Sequence, residues 1–321
     1  MSILRKYILA VEKKYSSDIL SVMKYPYSPI PSRGKLTWPD SKRLAIIITI
    51  NLETWDLIKD TDKPYYAGGP SILPDLLPGN VPDFPNFMWR EYGQRVGVWR
   101  LFDVFDELSI KPECTVNAKT CLEKKEMVKA AIDRELAIIP HNYEQGELLT
   151  QYFDNSSKEE EVIKTTLDIF RETTNLTPEG WLSSSLRGTE NTANILVKNG
   201  IKFYCDAMND DQPYMIDTES GTIVSIPYSN EINDFTLLTR RGHTTDEFRD
   251  ILIEEMNVLY KESKETSKIM NIGLHPHVSG RAYRIRAIRE FLQAAKELDG
   301  IWWATRSEIA DVYSEQSEKH I

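Results

Sequence analysis

Three of the five histidines and one carboxylate stand where hydrophobic runs stop. Glu53, with Asn51 two residues before it, closes the run Leu44–Ile50. His141 closes Leu136–Ile139, one proline further on. His275 and His277 close Met270–Leu274. An imidazole changes charge near neutral pH, so it can take or give a proton in catalysis. A carboxylate among aromatic side chains has its pKa raised by desolvation, which suits it to act as a base near neutrality. Asn51 and Glu53 are therefore expected on the floor of an active site, with His141 and His275 as its acid and base groups. An ordinary polar strand exit is the competing reading for Glu53. His275 and His277 are two apart, a spacing that puts both on one face of an extended chain and is compatible with a metal pair. That spacing also recurs by chance. His243 sits in a basic loop and His320 in the tail, and neither is expected to take part.

Residues of this kind must be held by something rigid. The run at Leu44–Ile50 carries no charge and is mostly Leu and Ile, as a strand buried on both faces requires. Further strands are expected at 112–117, 136–139, 180–183, 201–205, 224–227, 270–274 and 301–304. Helices are expected at 97–108, 122–134, 157–173, 190–199, 246–262, 282–297 and 306–316. Alternation of this sort calls for a parallel sheet, and about seven strands fit an α/β barrel. Most of these strands end in polar or ionisable residues, and a shared polar rim is where a barrel binds its substrate. Residues 54–90 are rich in Pro, Gly and aromatics and are expected to form an ordered flap over the site. The domain expectation is an N-terminal helix and extended arm at 1–40, one barrel domain at 41–316, and a tail at 317–321. The arm is expected to lie along the body or a neighbouring subunit, in a homo-oligomer.

Composition narrows the function. The 49 acidic residues outnumber the 39 basic ones, giving a formal charge of −10. That opposes non-specific binding to nucleic acid. No run approaches the roughly 18 apolar residues of a membrane span. Three cysteines without a CxxC pair fit free thiols in a reducing compartment. The expectation is a soluble cytoplasmic protein acting on a small molecule. No GxxxxGK[ST], GxGxxG after a strand, GxSxG or HExxH occurs, so phosphate-loop, dinucleotide, serine-hydrolase and zincin chemistry lack their signatures.

Several stretches together resemble the polysaccharide deacetylase family, and most closely its allantoinase-like branch. They are YPYSPI at 25–30, NLE at 51–53, YGQRVGVWRLFDVFDE at 92–107, GW at 180–181 and CDAMNDDQPY at 205–214. IPYSNEIND at 226–234, GLHPHVSGR at 273–281 and WWATRSEIADVY at 302–313 continue the match. The resemblance covers about residues 25–313. It implies a distorted (β/α) barrel and hydrolysis of a non-peptide C–N bond. It sets Asn51 near the base Asp of the sugar deacetylases, Glu53 near their metal-binding Asp, His141 at the first ligand His and His275 at the late catalytic His. The second ligand His is replaced by Gln145, and the arginine-proline loop by Trp181–Ser185. Glu53 and His141 then supply two of the three ligands a catalytic zinc needs. The expectation is hydrolysis of a cyclic amide, imide or ureide with no cofactor required. Glu53 or His141 would be the base, His275 would protonate the leaving nitrogen, and Asn51 and the Ser183–Ser185 loop would donate hydrogen bonds. A zinc-dependent deacetylase of an N-acetylated sugar or small amide, with Glu53 and His141 on the metal, is the first alternative. A non-catalytic binding barrel is the second. Trp181, Ser184, Asp210, Asp211, Tyr228, Glu231 and Asn233 are the expected substrate-binding residues. The two loops that carry most of them are both polar and aromatic, as binding a nitrogen-rich ring requires; equally, Asp/Asn-rich turns often only knit loops together.

Overall fold

A computed structural model describes residues 25–56, 72, 73, 77 and 81–321. The expected N-terminal helix and most of the expected flap lie outside these residues. The last part of that stretch is not irregular: residues Phe84–Tyr92 form a helix, α1, with Asp83 capping it through Asn86 N and proline at its start.

Nine strands are present among the described residues. β1 (Leu44–Leu52) pairs in parallel with β2 (Glu113–Val116), β8 (Lys268–Leu274) and β9 (Ile301–Trp303), and β2 pairs with β3 (Ile138–Pro140). β4 (Gly180–Trp181), β5 (Phe203–Tyr204) and β7 (Gly221–Ser225) form a second parallel set, flanked by the antiparallel β6 (Tyr214–Thr218). No strand was expected at 214–218; these residues are the first arm of a hairpin that turns at Glu219–Ser220. The two sheets meet edge to edge. Leu182 N donates to Pro140 O at 3.3 Å on one side, and Asn271 Nδ2 donates to Pro227 O at 3.2 Å on the other. The architecture is the expected α/β distorted barrel, opened into two sheets.

Why these runs make a barrel follows from their period of two. In β1 every residue is buried. Leu44, Ile46, Ile48, Ile50 and Leu52 join one apolar cluster with the helices α2 (Val98–Leu108), α7 (Thr245–Glu262) and α8 (Ile285–Lys296). Ala45 and Ile47 join another, inside the barrel, and Thr49 and Asn51 continue that face. Each isoleucine contributes on the order of 1.5–3 kcal/mol by its burial. The same alternation aims Ile269, Asn271 and Gly273 of β8 inward, and Ile139 of β3. One step past the strand ends, the inward series arrives at Glu53, His141 and His275. Between β2 and β3 stand two short helices, α3 (Ala118–Glu123) and α4 (Lys125–Asp133), where one was expected. Helices α5 (Ser156–Thr174), α6 (Thr192–Lys198) and α9 (Arg306–Ser314) complete the outer layer.

The arm packs on the body. Arg33 pairs with Asp210 at 2.5 Å, Leu36 is fully buried, and Trp38 Nε1 donates to Lys268 O at 2.9 Å. The C-terminal segment is likewise built in: Ser317–His320 is helical, and buried His320 reaches Tyr313 and Gln212. No helix among the described residues is long and apolar enough to cross a membrane.

Candidate active site

Glu53 is almost fully buried, and one of its oxygens lies between two imidazoles. Its Oε1 is 3.5 Å from His141 Nε2 and 3.6 Å from His275 Nε2. In each histidine the other nitrogen is committed. His141 Nδ1 lies 2.6 Å from the carbonyl of Leu182, which can only accept, so that nitrogen carries a proton and Nε2 is the one that faces Glu53. His275 Nδ1 lies 2.7 Å from Asp234 Oδ1. Asp234 is fully buried and also accepts from His275 N at 2.7 Å and Ser279 Oγ at 2.6 Å. For His275, burial is the largest influence and disfavours the imidazolium. The charges of Glu53 and Asp234 together outweigh it, and the pKa is raised. The shift favours the protonated ring, whose Nε2 faces Glu53. His277, buried between Trp55 and Trp89, has its pKa driven well down by burial and by His275, so it is a neutral packing residue.

Tight backbone contacts fix this geometry. The turn at 275–280 lies against a π-helical segment at Gly93–Gly97, a rare form associated with functional sites. A Cβ on Gly97 would stand 2.0 Å from Pro276 O, and one on Gly93 would stand 2.4 Å from His277 N. Opposite, Ser185 and Leu186 hold φ values of 56° and 59°, left-handed conformations that cost non-glycine residues about 1–3 kcal/mol each.

Around these groups runs a cleft lined by Asn51, Trp55, Gln145, Tyr228, Asn233 and Phe235, with Ser183, Ser185, Leu186, Asn230 and Arg240 at its sides. The catalytic candidates Asn51, Glu53, His141 and His275 all meet here, as do Tyr228 and Asn233 of the expected binding residues. Asn51 is wired into the sheet: it accepts from Thr115 Oγ1 at 2.7 Å, and its amide lies 3.3 Å from Leu274 O. The other five candidates stand apart from the cleft. Trp181 is fully buried in an apolar cluster, with Nε1 donating to Ser183 Oγ at 3.0 Å. Ser184 is turned toward the carbonyls of His141 and Glu144. Asp210, Asp211 and Glu231 line a neighbouring cavity, where Asp210 meets Arg33, Asp211 stands 3.7 Å from Lys268, and Glu231 pairs with Arg241.

Asp234, Trp55, Phe235 and Arg240 were not foreseen. Trp55 follows the first strand, and the other three follow Tyr228-Ser229-Asn230, so their positions in the sequence carried a signal. What the sequence lacked was the π-helical turn at Phe235–Arg240, which carries the segment back over the site.

The donor set does not fit a catalytic metal. Among the described residues no group of three or more His, Cys, Asp or Glu side chains is placed to hold an ion. Glu144 turns back to Gly146 N at 2.9 Å, and the position four after His141 carries the neutral amide of Gln145. A catalytic zinc draws on three protein ligands; Glu53 and His141 offer two, and the next nitrogen, His275 Nε2, stands 3.6 Å from Glu53 Oε1 on a ring whose protonated form Glu53 and Asp234 favour.

No family model matches the chain. A protein of Schizosaccharomyces pombe described as a putative polysaccharide deacetylase is 26% identical over 309 residues, spanning 86% of this chain and 92% of that one. The solved structure of a probable polysaccharide deacetylase from Pseudomonas aeruginosa superposes with a TM-score of 0.76 at 25% identity, covering 94% of this chain and 99% of its own. That of PuuE allantoinase superposes with a TM-score of 0.77 at 26% identity, covering 92% and 96%. These likenesses support the polysaccharide deacetylase family. The chain is a polysaccharide deacetylase-like hydrolase of C–N bonds.

Proposed function

We propose that this hydrolase opens a small cyclic amide, imide or ureide by general-base activation of water, without a metal. The observation that carries the reading is Glu53 Oε1 standing 3.5 and 3.6 Å from two imidazole nitrogens whose partners fix their roles. These gaps are longer than hydrogen bonds, so the facing atoms are not bonded to each other and a water beside them can bridge them. A water there can donate to Glu53 and to the lone pair of His141 Nε2. Glu53 takes one proton as the water oxygen bonds to the substrate carbonyl carbon. Tyr228 is suited to hold the oxyanion. Burial pushes its phenol up to about 12, so it stays protonated. Its oxygen lies 3.0 Å from Asn233 Nδ2, which donates to it and leaves the O–H for the cleft. His275 Nε2 then gives its proton to the nitrogen as the C–N bond breaks. The proton held by Glu53 leaves with solvent, and His275 is reprotonated.

The lining supports a planar, nitrogen-rich substrate. Trp55, Phe235 and Tyr228 offer ring faces, while Asn51, Gln145, Asn230 and Asn233 offer amides that both donate and accept. A panel of hydantoins, imides, ureides and N-acetyl sugars, with His275→Ala as the blank, tests the proposal. Ring opening in the intact protein alone is the expected result. Release of acetate from the sugars, or no difference from the blank, overturns it. The same preparation is expected in the soluble cytoplasmic fraction, and its oligomeric state follows from light scattering.

A further inference from the structure

Resting on the reading above, we propose that the substrate carries a carboxylate away from its scissile amide, and that Arg240 and Asn230 form the subsite that holds it. The segment 230–240 makes one side of the cleft and does two jobs. Its middle supplies Asp234, which fixes His275. Its ends, Asn230 and Arg240, both line the cleft.

The side chains at those ends differ from their neighbours. Arg241 is spent on Glu231 at 2.7 Å, whereas Arg240, stacked over Phe235, has no carboxylate partner among the described residues. Its guanidinium stands 5.4 Å from the centre of the Phe235 ring, and that ring is itself 5.4 Å from His275. This stack directs the cation to the side of the cleft where His275 works. Asn230 is oriented by Thr236, whose Oγ1 donates to Asn230 Oδ1 at 2.9 Å. With the carbonyl end engaged, the amide N–H groups are the end left for the cleft. A guanidinium beside an amide donor is complementary to a carboxylate.

Charge points the same way. At the cleft Glu53 faces one nitrogen of His275, while Asp234 behind it holds the other and is further satisfied by Ser279. Arg240 is the cation left over. The chain as a whole carries −10. A protein so acidic repels anions in general, so an anionic substrate needs a local cation to enter. Arg240 supplies it at the cleft mouth.

Hydantoin and hydantoin-5-acetate differ in this one group and make the test. The intact protein is expected to favour the acetate by about tenfold or more in kcat/KM, chiefly through KM, as a charge-assisted contact implies. Arg240→Met should collapse that ratio toward one, and Arg240→Lys should restore part of it. Raising the salt should shrink the preference in the intact protein and leave the ratio of the Met variant little changed. Equal use of both compounds by the intact protein, or a preference that survives in Arg240→Met, overturns the subsite while leaving ring hydrolysis in place. Calorimetric binding of the two compounds to His275→Ala decides the question if neither turns over. Tighter binding of the acetate that Arg240→Met abolishes supports the subsite even as ring hydrolysis fails, and equal binding overturns it.

Discussion

Two buried carboxylates face basic groups inside this barrel, and they have opposite fates. Glu113, on β2, meets Arg306 at the start of α9. Arg306 Nη1 lies 2.6 Å from Glu113 Oε2 and 2.9 Å from Thr49 Oγ1, Nη2 lies 3.0 Å from Asn271 Oδ1, and Arg306 N donates to Glu113 Oε1 at 2.6 Å. Burial weighs against the guanidinium, but Glu113 more than offsets it, and Arg306 stays charged. One layer above, Glu53 has two histidines at 3.5 and 3.6 Å and no such closure. The lower pair is closed by direct bonds through N, Nη1 and Nη2 of Arg306, with only Nε left unpartnered, and offers nothing to a substrate. The upper group is held in place by its surroundings but left short of direct hydrogen bonds, so its oxygen can bond a reacting water instead. The difference lies in distance and in the opening above, since both carboxylates are about equally buried.

The comparison is broken most directly at the upper site. Glu53→Gln keeps the shape and removes the base; kcat should fall by about 10³ or more, with the melting temperature nearly unchanged. Turnover and calorimetry on the same sample check it, and full activity would refute the role of Glu53. The lower pair should behave in the reverse sense. Arg306→Met leaves Glu113 buried without its partner and should destabilise the fold by about 3–5 kcal/mol in urea titration. Combining it with Glu113→Leu should recover much of that loss.

A third variant tests how Asp234 holds His275. His275 has a raised pKa when folded, so its charge stabilises the fold at low pH, and that contribution is lost as pH rises through the folded value. Activity that needs the protonated form also falls over that range. Asp234→Asn removes one raising charge, so the basic limb of kcat should move to lower pH, with kcat reduced by about tenfold above neutrality. The smallest effect is expected for metal. Dialysis against a chelator should change turnover by less than about twofold, whereas Gln145→His supplies a third ligand and should increase zinc uptake. Elemental analysis of both proteins measures it.

Much of the site was legible because strands have a period of two. Once Leu44–Ile50 is read as a buried strand, Asn51 and Glu53 must follow Thr49 on the inward face. His141 and His275 follow Ile139 and Gly273 in the same way. The loop residues were less legible. Asp210, Asp211 and Glu231 have suitable chemistry, but a loop has no period, and these three turn to Arg33, Lys268 and Arg241. Trp181 is on a strand of two residues, and its large apolar ring is drawn into the core beside Leu149 and Leu196.

By itself, the sequence determined the alternation of strands and helices, the polar rim, and which acid and imidazole groups stand on it, because these depend on hydrophobic periodicity along the chain. Only the tertiary structure decided that one oxygen of Glu53 lies between two histidines, that Asp234 holds one of them and Leu182 the other, and that Arg240 reaches the same cleft. Those facts join residues 53, 141, 182, 234, 240 and 275. Contacts across such separations are set by the closure of the barrel and the packing of its loops, which leave no local pattern in the chain.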